Sequence, residues 1–172
     1  MSGIEIIIVK IISMRKTPEF EDCFAELISL PSVSCVNPEH DQSNRRVIDA
    51  LANWLDALGF VCEIMPINDS PEKCNLIARR GGGQTEQNSG LVLSGHTDTV
   101  PYDANGWNTD PFKLTKKNEN YYGLGTADMK NFFPIIVEAL ERLSDVKFSK
   151  PITVVATADE ESTMSGARAI QQ

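Results

Sequence analysis

The chain is organised around one short stretch, Ser94-Gly95-His96-Thr97-Asp98-Thr99-Val100-Pro101. It follows the apolar residues 91–93 and holds one of only two histidines in the chain. In an extended segment residues i and i+2 face the same side, so His96 and Asp98 can act together. One ring nitrogen of His96 would then be free for a metal ion while Asp98 holds the other. The alternative is a histidine at a strand end beside an aspartate that forms a turn.

A second polar group follows a short strand flanked by glycines, Tyr121-Tyr122-Gly123-Leu124-Gly125-Thr126-Ala127-Asp128-Met129-Lys130-Asn131. An amphipathic helix is predicted to follow through about Leu143, and Pro134 is compatible with its opening turns. Asp128 lies where the loop becomes helix. It is therefore either an N-cap or a carboxylate presented at the edge of the sheet, as in open α/β proteins.

A third polar group follows residues 151–157, a near-continuous apolar run that predicts a buried strand. This run leads directly into Ala158-Asp159-Glu160-Glu161-Ser162-Thr163-Met164. Two adjacent glutamates at the end of a central strand are not typical of a solvated face. Alternation would send only one of them toward a site, unless a turn brings both around. Like charges held together raise a pKa, and a bound cation removes that cost.

Three predicted strand ends therefore deliver His96 with Asp98, then Asp128, then Glu160 with Glu161. One histidine with several carboxylates suits divalent ions such as zinc, cobalt or manganese. A bridging carboxylate and one spare glutamate are what a two-metal hydrolase needs. The metal ions lower the pKa of a shared water, and the spare glutamate takes its proton and passes it to the leaving amine.

Composition limits the classes of function. The formal charge of −8 over 172 residues, without a cluster of lysine and arginine, argues against binding to nucleic acid. No stretch approaches the ~20 apolar residues of a membrane span. The four cysteines form no Cys-x-x-Cys pair, so a thiolate zinc site is not expected. We interpret them as the reduced thiols of a cytoplasmic protein.

The N-terminal part of the chain contains an extension and two predicted helices. Residues 1–13 are apolar and β-prone, which is typical of an over-long start or an added strand, or else of an anchor to a membrane or a partner. Thr17 is predicted to cap a first helix that Pro31 ends. The apolar spacing predicts a second helix from about Ser43 to Leu58, closed by Gly59 in a left-handed conformation.

Strands are predicted at residues 60–64 and 74–78 from their apolar alternation and length. Residues 81–90 are rich in glycine and polar residues and predict a flexible connection, without the sequence of a phosphate-binding loop. His40 lies among polar residues without a set of partner carboxylates. This context is more typical of a surface histidine than of a ligand.

Three ordered motifs carry a family resemblance. They are Gly95-His96-Thr97-Asp98-Thr99-Val100-Pro101, Gly125-Thr126-Ala127-Asp128-Met129-Lys130 and Asp159-Glu160-Glu161. Together they resemble the zinc-dependent aminoacylase and carboxypeptidase family of metallohydrolases. The resemblance spans about Thr17 to Gln172, and the segment Trp107-x-x-Asp110-Pro111-Phe112 is part of it.

The resemblance implies a role for each matched residue. His96 would bind one metal ion, and Asp98 would clamp the imidazole and belong with the catalytic residues. Asp128 would bridge two metal ions, Glu160 would be the general base, and Glu161 would bind the second metal ion. The implied cofactors are two divalent ions, zinc or cobalt. The implied reaction is hydrolysis of a linear amide in a small N-acetylated amino acid.

The implied fold is α/β, a mixed sheet flanked by helices as in the catalytic domain of zinc exopeptidases, with a separate dimerising lid. Family members are much longer, so residues 14–172 would be the N-terminal part of that domain. Each metal ion there takes a third protein ligand from a later part, an acidic residue for one and a late histidine for the other. We therefore expect this chain to have an incomplete ligand set, to form no homodimer through the lid, and to be inactive alone.

One residue departs from the family pattern within the matched region. Asn131 stands where glycine is usual, and we expect little harm because asparagine tolerates a left-handed φ. Two alternatives to the implied reaction remain open. One is a related desuccinylase or metallopeptidase. The other is a non-catalytic chain that binds metal weakly or pairs with a longer homologue.

Overall fold

The computed structural model describes residues 15–68, 70–82 and 90–171. The predicted extension at residues 1–13 lies outside the described residues, as do positions 83–89 of the predicted polar connection. Within the described ranges, no helix is long and apolar enough to cross a membrane.

The described ranges contain four α-helices. They are α1 (Phe20–Ser29), α2 (Arg45–Ala57), α3 (Phe132–Arg142) and α4 (Ser165–Ile170). The boundaries of α2 and the end of α3 fall within two residues of the predicted ones. Gly59 follows α2 with a φ of +81°, which confirms the predicted left-handed stop.

The start of α1 differs from the prediction. The helix begins at Phe20, and Glu19 occupies the N-cap position without a side-chain hydrogen bond. The hydroxyl of Thr17 donates instead to Glu141 Oε2 near the end of α3, at 2.8 Å. The prediction that Thr17 caps α1 is therefore wrong, because a buried carboxylate from a distant helix takes the hydroxyl that would have capped the local one.

The strands form one mixed four-stranded sheet and one short hairpin. They are β1 (Val61–Ile67), β2 (Ser70–Arg80), β3 (Leu91–His96), β4 (Thr115–Lys117), β5 (Asn120–Tyr122) and β6 (Ile152–Thr157). The large sheet has the order β1-β2-β6-β3, and β4 pairs with β5. In the large sheet β6 is parallel to β3 and antiparallel to β2, while β1 is antiparallel to β2. Helices pack against this mixed sheet, which confirms the predicted α/β class.

The core forms where α2 packs on β1 and β2 and where α1 packs against α3. Trp54 is buried in it, as its position on the apolar face of α2 predicts. Further members are Leu27, Val47, Leu51, Leu55, Leu76, Val137, Val154 and Ala156.

The parallel pairing of β3 with β6 positions the polar motifs. His96, the last residue of β3, lies opposite Thr157, the last residue of β6. Because parallel strands run in the same direction, the segments that leave them emerge at the same edge of the sheet. The loop after His96 and the turn after Thr157 are therefore neighbours.

Candidate metal centre

The loop after β3 is fixed by main-chain hydrogen bonds. Thr97 N–H extends the ladder between β3 and β6 by one bond of 2.9 Å. Thr99 N–H donates to Ser32 O at 3.1 Å, and Ser34 N–H donates to Thr99 O at 2.9 Å. Strand-like bonds thus hold the loop on both sides. They keep the side chains it carries at defined positions.

The imidazole of His96 lies at the boundary between the protein interior and an open face. The residue is 6% exposed. Its Nδ1 lies 3.1 Å from the main-chain oxygen of Asp98 and 3.6 Å from Asp98 Oδ1. Its Nε2 lies 3.1 Å from Asp128 Oδ1 and 3.8 Å from Glu160 Oε2. One nitrogen therefore faces inward and the other faces two carboxylates on the open side.

The carboxylate of Asp98, which lies 3.6 Å from the imidazole of His96, also has a second set of partners. It is 2% exposed, and it accepts the backbone N–H of Glu160 at 3.2 Å and that of Glu161 at 3.0 Å. Burial alone would raise the pKa of Asp98, but the nearby His96, these N–H groups and the Ser34 hydroxyl outweigh it and lower the pKa. Asp98 thus fastens the chain after β6 to the loop that carries His96, while its carbonyl oxygen meets the imidazole.

Residues 158–164, which we call the glutamate turn, bring both glutamates to the same place. The chain leaves the extended conformation at Asp159, whose φ is +60°. The turn closes with Met164 N–H donating to Asp159 O at 2.6 Å. Ligand atoms of His96, Glu160 and Glu161 then lie within 4.8 Å of one another.

Asp128 reaches the same face from the segment before α3. Its side chain is 72% exposed, and its Oδ1 lies 3.1 Å from Nε2 of His96. The helix begins at Phe132 with Asn131 at the N-cap position, so Asp128 is not the cap of α3. Asn131 has a φ of −60°, so its left-handed tolerance is not what accommodates it here. Asparagine fits because this position is right-handed.

The electrostatics of the open face come from crowded acids. Burial disfavours the imidazolium of His96, but Asp98 and Asp128 outweigh it and raise the pKa of His96 to about 9. Burial, followed by the charge of Asp128, raises the pKa of Glu161. The raised pKa of His96 means that the face favours a positive charge on the imidazole among its carboxylates.

The donor set fits a divalent cation. An outward imidazole nitrogen and the oxygens of Asp128, Glu160 and Glu161 share one face, and the other imidazole nitrogen has a fixed hydrogen-bond partner. Metal-binding histidines have this arrangement, which fixes the orientation of the ring. Nitrogen and carboxylate ligands together suit zinc and related ions.

Sequence reasoning missed a buried network behind the glutamate turn. The ammonium of Lys73, on β2, lies against the carboxylates of Asp159 and of Asp41, the latter at 2.6 Å. The hydroxyl of Ser34 donates to Asp159 Oδ1 at 2.7 Å. Nothing local around Lys73 signals this role, since its partner Asp159 is 86 positions away along the chain. A cavity of about 660 Å³ adjoins Lys73 and Asp159 and does not include His96.

Asn44 is a second missed residue. It occupies the N-cap position of α2 but makes no side-chain cap. Its amide nitrogen donates to Cys74 O at 2.8 Å and to Thr97 Oγ1 at 2.7 Å. The residue connects the start of α2 to β2 and to the loop after His96, so it helps to fix the position of that loop.

His40 and Trp107 both lie outside the helices and strands. His40 is exposed and lies in the turn that follows residue 37, away from the cluster around His96. Trp107 is partly buried in the loop that follows a 3₁₀ turn at Ala104–Gly106.

Comparison with known sequences gives a family and a close relative. The family described as peptidase family M20/M25/M40 matches residues 92–172. An acetylornithine deacetylase from Pasteurella multocida is 49% identical over 159 residues, which are 92% of this chain and 41% of that enzyme. The chain thus spans less than half the length of this relative.

Comparison with solved structures supports the architecture. Human carnosine dipeptidase 1 superposes with a TM-score of 0.71 at 21% identity, over 88% of this chain and 34% of that one. The M20 family metallo-carboxypeptidase Sso-CP2 from Sulfolobus solfataricus superposes with a TM-score of 0.69 at 19% identity, over 84% and 32%. At these identities the likeness shows the fold, and it confirms the predicted zinc-exopeptidase-like sheet.

Proposed function

We propose that the chain belongs to the peptidase family M20/M25/M40 and that it carries part of the active site of a metal-dependent hydrolase that deacetylates N2-acetyl-L-ornithine. The observation that carries the proposal is the single open face at the ends of β3 and β6. There the outward nitrogen of His96 meets Asp128 and Glu160 at 3.1 and 3.8 Å.

We assign the roles as follows. His96, Asp128 and Glu161 would hold the divalent ions, zinc or cobalt. Asp98 orients the imidazole through its main-chain oxygen and holds the glutamate turn through its carboxylate. Glu160 is the general base, which its position at the open face supports, because a side chain that is 45% exposed can meet water and substrate.

The proposed reaction is the hydrolysis of one amide. When bound, divalent ions polarise the amide carbonyl and lower the pKa of a water molecule. Glu160 accepts a proton from the attacking water and gives a proton to the amine nitrogen as the carbon–nitrogen bond breaks. The products are acetate and L-ornithine, and Glu160 ends in the charge state in which it began.

The choice of substrate rests on the relative that is 49% identical and bears the name acetylornithine deacetylase. The same resemblance supports a place in arginine biosynthesis, and a homodimer formed by the whole protein through a part outside this chain. The four cysteines are unpaired thiols, which supports a cytoplasmic setting.

A calorimetric titration with Zn²⁺ or Co²⁺ tests the ligands in the purified 172-residue chain. We expect binding in the wild type and its loss in His96→Gln. His40→Gln is the matched control, because it changes the other histidine at an exposed position. Binding that survives His96→Gln contradicts the assigned site. Tight binding of two equivalents contradicts the expectation that the ligand set in this chain is incomplete.

A chimera tests the chemistry. This chain replaces the matching part of the Pasteurella multocida enzyme, and ornithine release from N2-acetyl-L-ornithine is measured. Glu160→Gln should lower kcat by about 10³-fold, whereas Glu26→Gln, an exposed control on α1, should leave it unchanged. The 172-residue chain alone should release no ornithine. Preference of the chimera for N-succinylated substrates or dipeptides would favour a desuccinylase or peptidase instead.

A further inference from the structure

The glutamate turn has a conformation that needs support from outside. Asp159 adopts a φ of +60°, a region that is unfavourable for residues with a side chain and that aspartate visits more readily than most. This conformation reverses the chain directly after β6. It turns the amides of Glu160 and Glu161 toward Asp98 and their carboxylates toward His96.

The side chain of Asp159 points away from the open face and is buried. The residue is 4% exposed. Besides Ser34, it accepts hydrogen bonds from Ser165 Oγ at 2.8 Å and from Thr163 Oγ1 at 3.2 Å. The cation that balances its charge is Lys73, which is itself 2% exposed. A buried carboxylate without a cation is strongly unfavourable, so this pair governs whether the turn can keep its shape.

Strand β2 supplies the support. Lys73 and Asn75 are two positions apart and so lie on the same face of β2. Asn75 accepts the N–H of Ala158 at 3.1 Å and donates to Gly166 O at 2.8 Å. The two side chains therefore hold the glutamate turn from the side of β2, which we call the rear. Asp98 holds it from the side of His96, which we call the front.

We propose that Lys73 is a positioning residue, which holds Asp159 and thereby sets the amides and carboxylates of Glu160 and Glu161 at the metal face. The link to a metal face rests on the proposed function. The mechanical part, that Lys73 holds Asp159 and so fixes the glutamate turn, does not depend on that function. Lys73 touches none of the assigned ligands, and it meets the glutamate turn through Asp159.

Amide hydrogen exchange, measured by NMR on the metal-free 172-residue chain, tests the mechanical part. In Lys73→Met we expect exchange at Glu160 and Glu161 to accelerate about 10-fold or more while Val154 in β6 stays protected. Lys73→Arg should restore most of the protection, because it returns the buried cation. Lys147→Met is the control, since this lysine is exposed.

Three outcomes would overturn the proposal. They are unchanged exchange at the two glutamates, an equal acceleration at Val154, and no rescue by Lys73→Arg. If Lys73→Met does not fold, Asp159→Asn carries the test, because asparagine keeps the left-handed conformation and removes the charge. Exchange at the two glutamates must then rise relative to Val154, and an unchanged rate rejects the proposal.

Cobalt absorption links the mechanical part to the metal face. Lys73→Met should weaken Co²⁺ binding by about 10-fold and shift the visible bands, as loss of an outer partner does at metal sites. Unchanged affinity and bands would reject the link to the metal face. If the wild type binds no Co²⁺, the proposed metal site fails, and the exchange measurement still decides the role of Lys73.

Discussion

The two sides of the glutamate turn differ in almost every physical respect. On the rear side, against β2, the charges are buried and are paired within the protein, as for Lys73 with Asp159. The front side, toward His96, is open, and its acids crowd together, with Asp128 72% exposed. The buried ion pair that supports the fold and the residues proposed for chemistry therefore lie on opposite faces of a single short segment.

The residue between the two sides is Asp98. It is buried like the rear residues, yet it touches the imidazole of the front. Substitutions behind the turn should therefore affect stability most, and substitutions at the front should affect stability least and ligand binding most.

The largest expected effect is at the rear, for Gly166→Ala. A Cβ at this position would meet Asn75 Oδ1 at 2.5 Å and Ala158 N at 2.6 Å, and it would overlap the carbonyl oxygen of Ala158. Because backbone atoms cannot move aside cheaply, we expect a loss of about 3 kcal/mol or more in the free energy of unfolding, measured by urea titration.

Gly95→Ala is the matched comparison on β3, directly before His96. Its Cβ would meet Phe132 Cδ1 at 2.8 Å and Met129 Cε at 2.9 Å, and both are side-chain atoms that can shift. We expect a loss of about 1 kcal/mol. Equal losses in the two variants would contradict the contrast between the fixed backbone atoms around Gly166 and the movable side chains around Gly95.

The next largest effect is expected for Asp98→Asn. The new NH₂ group would face one of the two amides that the carboxylate now accepts, leaving a buried donor unpaired. We expect a loss of between about 2 and 3 kcal/mol in the free energy of unfolding. Asp56→Asn, on the exposed side of α2, is the control and should change stability little. A loss no larger than that of the control would mean that Asp98 does not fasten the glutamate turn.

How much of the site follows from the sequence depends on how local each relation is. His96 and Asp98 are two residues apart at a strand end, so the periodicity of a strand suffices to predict that they act together. Glu160 and Glu161 follow a recognisable buried strand. The sequence predicts their joint placement only if a turn follows the strand, and the structure contains that turn.

The parts that were missed depend on partners distant in the chain. Thr17 and Asn44 both have the residue type of a helix cap, but their side chains form hydrogen bonds with residues distant in the chain instead. The carboxylate of Asp98 binds amides more than 60 positions away. Lys73 carries no local signal at all, because an isolated lysine in a strand is ordinarily read as exposed. Only the pairing of β2 with β6 brings it to Asp159.

Measuring the free energy of unfolding of the metal-free chain as a function of pH tests how the carboxylates at the front stabilise the imidazolium of His96. The pKa of His96 rises from 6.5 to about 9 on folding. Its contribution is therefore complete below pH 6.5 and is lost as the pH rises through 9. Allowing for screening of the exposed acids, we expect the wild type to lose about 2 kcal/mol over this range relative to His96→Gln.

The matched control for that titration is His40→Gln, which should keep the pH dependence of the wild type because His96 remains. Chelator is present throughout, since a bound cation would take the place of the proton. Parallel curves for the wild type and His96→Gln would show that the front acids do not stabilise the imidazolium.

The smallest effect on stability is expected for Asp128→Asn, and this variant separates the two sides most sharply. The carboxylate is 72% exposed and loses one contact with His96, while its repulsion of Glu161 is relieved. These changes should nearly cancel, so the free energy of unfolding should change by less than about 0.5 kcal/mol. Co²⁺ titration of the same variant should nevertheless show binding weakened by about 10-fold or more, because a ligand is lost. A stability loss as large as that of Asp98→Asn would mean that the front side also holds the fold together, and the division between the two sides would not hold.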